Sequence, residues 1–384
     1  MRVLRTHGFI AAFFALCLLP LASTVARVTV VQPVDENRRL AAPPTWSWPP
    51  DLTAITQQAE RWYSDHFGLR SLLIRLKTQI DLSLFHTSDR VHVGSDGWLF
   101  YRSVMDQEKP SVQKMLGAHE ADILAGINAF GAALRAKGVH LIVLQNLLAD
   151  RFVPEKLPTS VPRLPSPPRY DHFLHGLAAL PDISYLDSQA ILGRLQQDRP
   201  IFHKTDFHWN DPAAFEVAHA LVERIARLDR RSEPVWSHKL EIEIRPMSGW
   251  TARFMPVFRL PSEDALFVKP TWTHAPGYAP AYNEGAFEYV ARVATPNHAL
   301  LPPTVVYGDS FFDGIMRSGF DVYFRTLYRA RVKHDLKLSG IANSLPADTR
   351  YLVIQFIEVT NAMMLAFADK TDLALATQMI RDRP

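Results

Sequence analysis

Asp206-Phe207-His208-Trp209 and, far along the chain, Gly308-Asp309-Ser310-Phe311 hold the residue types of an activated hydroxyl. A serine hydroxyl is a weak nucleophile near neutral pH. It becomes useful when an imidazole takes its proton and a carboxylate fixes that imidazole's tautomer. Asp206 and His208 stand at i and i+2, so in an extended segment both side chains leave from one face. The carboxylate can then reach the ring of its own segment, leaving the far ring nitrogen for Ser310. The chemistry this supports is acyl transfer through Ser310, with His208 as base and Asp206 as its orienter. Catalysis by cysteine is excluded, because the single cysteine, Cys17, lies in the N-terminal apolar stretch.

Position strengthens the serine motif. The β-branched run Thr304-Val305-Val306-Tyr307 feeds straight into Gly308, and an apolar helix is expected beyond it. Ser310 is thereby placed at a strand's carboxyl end, the edge where open α/β sheets bind ligands. Unpaired N–H groups at such a junction can hold an oxyanion. A blander reading makes Asp309 or Ser310 a helix cap, and Asp206 and Trp209 the cap and packing residue of a helix-entry loop. Metal chemistry is the main competitor, since His203, Asp206 and His208 are close together. The chain has no His-Glu-x-x-His and no second carboxylate–histidine cluster, so no metal site is expected. It has no glycine-rich phosphate loop either, and no cofactor is expected.

The elements that must carry these residues alternate in type. Leu52 to Leu84 is expected to be helical with a break near Asp65-His66-Phe67-Gly68, and Val91 to Tyr101 to form a β-hairpin. Ile123, Leu124, Ile127, Phe130 and Leu134 make a helical stripe ending at Gly138. Val139 to Leu144 follows as a buried parallel strand. A proline-rich loop spans Pro154 to Pro168, a helix about Asp171 to Leu180, and a strand Ile183 to Leu186. Another helix is expected with Asp211 near its N-cap and Pro212 in its first turn. From His238 to about residue 300 alternation suggests a β-rich insertion. Tyr351 to Phe356 is the last strand, with a helix after it. The fold class is therefore α/β, a three-layer sandwich around a mostly parallel sheet.

Composition sets the compartment. Arg2, Arg5 and His7 precede an apolar run from Gly8 to Ala26, as in a signal peptide or signal-anchor, with Thr24-Val25-Ala26 as a passable cleavage site. Residues 1–27 are assigned to that segment, 28–50 to a proline-rich linker, and 51–384 to the main domain with its insertion at about 238–300. A formal charge of +3 without any basic block gives no reason to expect nucleic acid. With 47% hydrophobic and 21% charged residues, the chain has ample material for a core and is not globally disordered.

At these motifs the chain resembles the alginate O-acetylation family of AlgJ and AlgX. The resemblance is carried by Glu36-Asn37-Arg38 with Leu40-Ala41 and Pro43, by Asp65-His66-Phe67-Gly68 with Arg70, and by Gly97-Trp98-Leu99-Phe100-Tyr101. Lys204 to Asn210 and Gly308 to Phe311 complete it. It implies an SGNH-hydrolase-like domain in the periplasm, with the Asp–His pair permuted ahead of the serine. It implies an exopolysaccharide substrate, with the acetyl group supplied by a membrane-bound O-acyltransferase. The N-terminal segment would be cleaved, or residues 8–26 would anchor the protein in the inner membrane. Two departures stand at the expected rim: Gln145-Asn146-Leu147-Leu148 replaces a Pro-x-Lys motif, and Glu358-Val359-Thr360 replaces a Glu-Arg pair. Gly308, Asn146 and Glu358 are candidates for oxyanion or substrate contacts, and Trp98, Tyr101 and Trp209 for stacking on sugar rings. The same three catalytic residues would serve a carbohydrate acetylesterase, and an inactive adaptor for the membrane enzyme is the reading from another class.

Overall fold

Pro20 lies inside the N-terminal apolar helix, where its missing N–H and its ring disrupt the turn below it. In the computed structural model that helix, α1 (Arg2–Val25), bends by 41° between His7–Ala15 and Leu18–Val25. Among the described residues no single helix is long and apolar enough to cross a membrane, but this bent pair reaches that length and composition. The structure describes residues 2–26, 30–35, 38–46, 48–294, 298–332 and 336–383. Glu36 and Asn37 of the first resemblance motif lie outside the described residues, as does the side chain of Cys17. The chain divides into two compact units, residues 1–89 with 253–260, and residues 90–252 with 261–384. The domain start expected at residue 51 thus falls inside the first of them.

In the first unit the expected helical stretch is broken where predicted, into α2 (Leu52–His66) and α3 (Arg70–Phe85). Asp65 at that break is a staple. It pairs with Arg38 and accepts the Ala41 N–H at 2.8 Å, and these donors hold its carboxyl well below the usual carboxylate range.

The second unit carries the sheet. Its elements run β1 (Val91–Val93), β2 (Leu99–Tyr101), α4 (Lys109–Ala136), β3 (His140–Asn146), α5 (Arg169–Ala178), β4 (Ser184–Leu186), α6 (Ser188–Leu195) and α7 (Asp211–Leu228). Then come β5 (Ile242–Met247), α8 (Trp250–Arg253), β6 (Glu263–Val268), β7 (Tyr278–Glu284), β8 (Phe287–Val293), β9 (Thr304–Gly308) and α9 (Phe312–Arg317). The unit ends with β10 (Thr326–Arg331), α10 (Leu338–Ser344), β11 (Tyr351–Ile357), α11 (Asn361–Ala368) and α12 (Lys370–Arg381).

The central sheet has seven strands in the order β4-β3-β11-β9-β10-β8-β7. The first five are mutually parallel, and β8 and β7 are added antiparallel at one edge. On one side α4 packs with α5, α11 and α12, and α12 with α10; on the other α7 packs with α6 and α9. Coverage of both faces explains why β9 is buried along its whole length, and β3 and β11 at all but one end residue. This is the three-layer α/β sandwich that the strand–helix alternation predicts.

Two sequence expectations need correction. The segment expected as one β-rich insertion divides: β5 and β6 form a separate two-stranded ribbon, whereas β7 and β8 extend the main sheet. Thr251 to Leu260 holds no strand, and it opens with the helical turn α8. Asp211 opens α7 beside the N-cap as expected, and the cap itself is Asn210, accepting the Ala213 N–H at 3.0 Å. Residues 295–297 of the expected insertion lie outside the described residues.

Candidate active site

The segment carrying the Asp–His pair is a tight loop held at its neck. Phe202 and Trp209 bridge antiparallel, and the Asn210 N–H donates to the Ile201 carbonyl at 3.0 Å. Within it Asp206 Oδ1 accepts two bonds from His208, the backbone N–H at 3.1 Å and Nδ1 at 2.7 Å. The i and i+2 spacing therefore works through a turn centred on the carboxylate as well as through a shared face. His208 Nε2 then lies 2.8 Å from Ser310 Oγ. The structure brings together all three residues that the sequence nominated for acyl transfer.

Burial alone would raise the Asp206 carboxyl. The His208 hydrogen bond and charge, with the backbone N–H groups of Trp250 and His208, outweigh it and hold the group at about 2. Asp206 is thus ionised at any working pH, and its Nδ1 bond fixes the ring so that Nε2 faces the serine. The imidazole is flanked by the rings of Phe207, at 4.1 Å between centroids, and Phe311, at 4.7 Å. His203, two residues ahead of Thr205 in this loop, is buried, and burial lowers its pKa, so it stands as a neutral wall of the site.

Ser310 sits in the turn between β9 and α9. Asp309 is more than a cap. Its Oδ1 accepts the Phe311 N–H at 2.8 Å and Gln355 Nε2 at 3.0 Å, and its Oδ2 accepts the Ile357 N–H at 2.9 Å. Gln355 Oε1 accepts the Asp309 N–H at 2.9 Å. Two residues of β11 therefore hold the serine turn through Asp309. Burial raises the Asp309 carboxyl against these donors. Among the described residues the Ser310 N–H has no protein acceptor, and it points to no competing bond for an oxyanion.

Trp209 ties the two loops together. It is 1% exposed and its Nε1 donates to the Phe311 carbonyl at 3.1 Å, so it is core and lacks the open face expected for sugar stacking. Trp98 is likewise buried, and Tyr101 closes the β1–β2 hairpin opposite Val91. Gly308 ends β9 with little room: a Cβ there would lie 2.8 Å from Phe312 Cβ and 3.0 Å from Gln355 Oε1. Asn146 is fully buried, and its Oδ1 accepts Gln355 Nε2 at 2.8 Å. It acts on the serine turn through Gln355. Glu358 is buried in an ion cluster with Lys109 and Arg151. None of Tyr101, Gly308, Asn146 or Glu358 lines the cleft above Ser310.

That cleft holds about 350 Å³ and is walled by His203, Trp209, Met247, Trp250, Phe267, Asp313 and Arg317 beside Asp206, His208 and Ser310. The β5–β6 ribbon thus supplies a wall through Met247 and Phe267. Three contributors escaped the sequence reading. The Trp250 N–H donates to Asp206 Oδ2 at 3.0 Å, and the ring, 54% exposed, stands at the mouth of the cleft. Gly249 lets this segment approach, because a Cβ would come within 2.5 Å of Asp206 Cβ. Glu263, at the start of β6, accepts the N–H groups of Lys204 at 2.8 Å and Thr205 at 2.7 Å, and the Thr205 hydroxyl at 2.6 Å. The adjacent Gly249-Trp250 pair was readable as a tight approach. The Glu263 contact spans 58 residues and leaves no local trace.

Residues 91–266 match the family described as SGNH hydrolase-like domain, acetyltransferase AlgX. Among solved structures, the O-acetyltransferase domain of Pseudomonas putida AlgJ is similar, with 18% identity and a TM-score of 0.50 over 75% of this chain and 98% of that one. Bacillus cereus PatB1 follows at 13% identity and a TM-score of 0.48, over 71% and 97% of the two chains. At 18% identity the likeness to the AlgJ domain is one of fold. The chain matches no curated protein.

Proposed function

Because residues 91–266 match the family described as SGNH hydrolase-like domain, acetyltransferase AlgX, we propose that this protein is a periplasmic polysaccharide O-acetyltransferase working through an acetyl-serine. The observation that carries the reading is the unbroken row Asp206–His208–Ser310, joined at 2.7 and 2.8 Å and opening on a cleft.

In this mechanism His208 Nε2 takes the Ser310 proton as Oγ bonds to the donor's acetyl carbon. Negative charge develops on the former carbonyl oxygen, where the Ser310 N–H is placed to meet it. The donor's ester C–O bond then breaks, and His208 returns the proton to the departing oxygen. A sugar hydroxyl repeats the steps in reverse order, giving its proton to His208 and leaving with the acetyl group. Asp206 stays ionised throughout and stabilises the imidazolium. Acetyl-CoA is absent outside the cytoplasm, so a membrane-bound O-acyltransferase would deliver the acetyl group. The apolar α1 would keep this chain at the inner membrane beside it.

The test is intact mass spectrometry of wild type and Ser310→Ala after exposure to an activated acetyl ester, followed by candidate glycans. A single acetyl on the wild type alone, chased onto the glycan, is the expected result. Chase of the acetyl only to free acetate assigns the esterase reaction instead. An unmodified wild type that matches Ser310→Ala overturns the acyl-enzyme and leaves the adaptor reading.

A further inference from the structure

The polar and apolar sides of α3 are inverted. Its hydrogen-bonding side chains turn inward, onto backbone of the first unit. Ser71 Oγ accepts the Val34 N–H at 3.2 Å, and Arg75 donates to the carbonyls of Val257 at 3.0 Å and Gln32 at 3.3 Å. Gln79 Oε1 accepts the N–H groups of Phe258 at 3.2 Å and Arg259 at 3.3 Å. Leu73, Leu76, Ile80 and Leu84 stand outward, exposed by 43%, 47%, 43% and 70%. At 3.6 residues per turn these four lie within about 80° of one another. They make one stripe along a helix of 16 residues, about 24 Å long. The polar side chains at its margin are already committed. Lys77 Nζ donates to Asp81 at 2.7 Å and Asp89 at 2.9 Å, and Ser83 Oγ accepts Gln79 Nε2 at 3.0 Å.

We propose that this stripe is a membrane-binding face, and that α3 lies along the surface of a lipid bilayer with its leucines and isoleucine set about 5–10 Å into the headgroup–acyl boundary. Two observations favour lipid over protein. The first is where α3 begins. The Gly68 N–H donates to Thr24 Oγ1 at 2.6 Å, and a Cβ on Gly68 would lie 2.6 Å from the Thr24 backbone N. The last turn of α1 therefore rests on the entry to α3. Because α1 is the bent apolar pair that reaches the length and composition of a span, α3 starts at the level where such a span leaves the bilayer. The second is the chemistry of the stripe. A protein partner surrounds its apolar contacts with a polar rim that makes hydrogen bonds. Here the marginal side chains, Lys77 and Ser83, are bonded within the unit. Acyl chains ask for no hydrogen bonds. With Lys77 between two carboxylates, the margin carries no surplus positive charge, so the contact is apolar and needs no anionic lipid.

The inference rests on the reading of α1 as a membrane anchor and extends it. A single span leaves the chain beyond it free to tilt and turn above the bilayer. A second line of contact, beginning at Thr24 and running along α3, holds the first unit down in one orientation. It also accounts for Arg75 and Gln79, whose bonds keep the polar side of α3 turned away from the stripe.

The experiment is spin-label accessibility on the full chain in phosphatidylcholine bilayers, with Cys17→Ser leaving one introduced cysteine at a time. Labels go on Leu73→Cys, Leu76→Cys, Ile80→Cys and Leu84→Cys, all at exposed positions where the fold tolerates the change. Lys370→Cys on α12, at a side chain 81% exposed, is the water reference, and Phe13→Cys reports on α1. Oxygen concentrates in lipid and a nickel chelate stays in water. At the four stripe sites the ratio of oxygen to chelate collisions should exceed that at Lys370→Cys by about threefold or more, as for a helix set into the interface. Chelate reaching the stripe as freely as it reaches Lys370→Cys puts α3 in water and overturns the proposal. Exclusion of both reagents means that protein, a second copy or another chain, covers the stripe, and overturns it too. Phe13→Cys in lipid beside a stripe in water sinks this proposal and leaves the anchor standing. Phe13→Cys in water removes the anchor, and the stripe labels still decide for or against α3.

Discussion

The two polar clusters of the second unit are built on opposite plans. The Asp206–His208–Ser310 row is short in sequence at its core, only partly open to solvent, and uses one ionised group beside a ring and a hydroxyl. The Lys109–Asp150–Arg151–Glu358 cluster draws full charges from distant parts of the chain and buries them. Burying charges costs desolvation, so such a cluster holds only where each charge keeps its partners. The contrast separates a group arranged to exchange a proton from groups arranged to hold an edge in place. It predicts that damage to the first shows in chemistry and damage to the second in folding.

The largest expected effect breaks the second cluster. Glu358 is 3% exposed and serves Lys109, Arg151 and the Leu148 N–H. Glu358→Gln keeps the shape but leaves two buried cations facing an amide. A loss of about 3–5 kcal/mol is expected, as for removal of one partner from a buried pair. Chemical denaturation should show it as a lower midpoint with an unchanged slope. A variant as stable as wild type would remove Glu358 from the role of keystone.

The next effect sharpens the division within the catalytic side. Glu263 touches neither His208 nor Ser310 but holds the backbone of Lys204 and Thr205, just ahead of Asp206. Glu263→Gln removes the charge behind these bonds. Slight misplacement of a catalytic group costs up to about a hundredfold in rate, so kcat for ester turnover should fall by ten- to a hundredfold with KM unchanged. Because Glu263 is a positioning residue, Glu263→Asp should recover less than wild type, since the shorter side chain cannot reach both N–H groups together. An equal fall in every variant with a lowered melting point would mean a purely structural role.

What was legible in the sequence follows the same division. The Asp–His pair is readable because two residues two apart can be placed without knowing the fold, and Ser310 because a β-branched strand runs straight into it. The fold class was legible from the same alternation. Gln355, Glu263 and Lys109 were not, since each acts across a sheet position or loop that only folding supplies. β10 was missed for a plainer reason: Arg329 and Arg331 make Thr326–Arg331 look polar, yet both pair across to Asp313 and Glu288. Trp209 looked like a ligand-facing aromatic because rarity in a motif does not tell a tether from a platform.

The smallest effect tests whether Asp206 belongs wholly to the catalytic plan or also contributes to folding. Its carboxyl is held at about 2 in the folded protein, against an ordinary value of 3.8. A depressed folded-state value means the unfolded chain binds the proton first on acidification. The stabilisation is therefore present above about pH 4 and is lost as pH falls toward 2. Asp206→Asn has no such proton to bind. The difference in melting temperature between wild type and Asp206→Asn should be constant from pH 7 to 5 and shrink between pH 4 and 2, the variant losing less on acidification. Other carboxylates titrate in the same range in both proteins, so only the difference curve carries the signal. A flat difference would mean that His208 and the Trp250 N–H do not favour the ionised form, and Asp206 would then lose its assigned part in holding the imidazole.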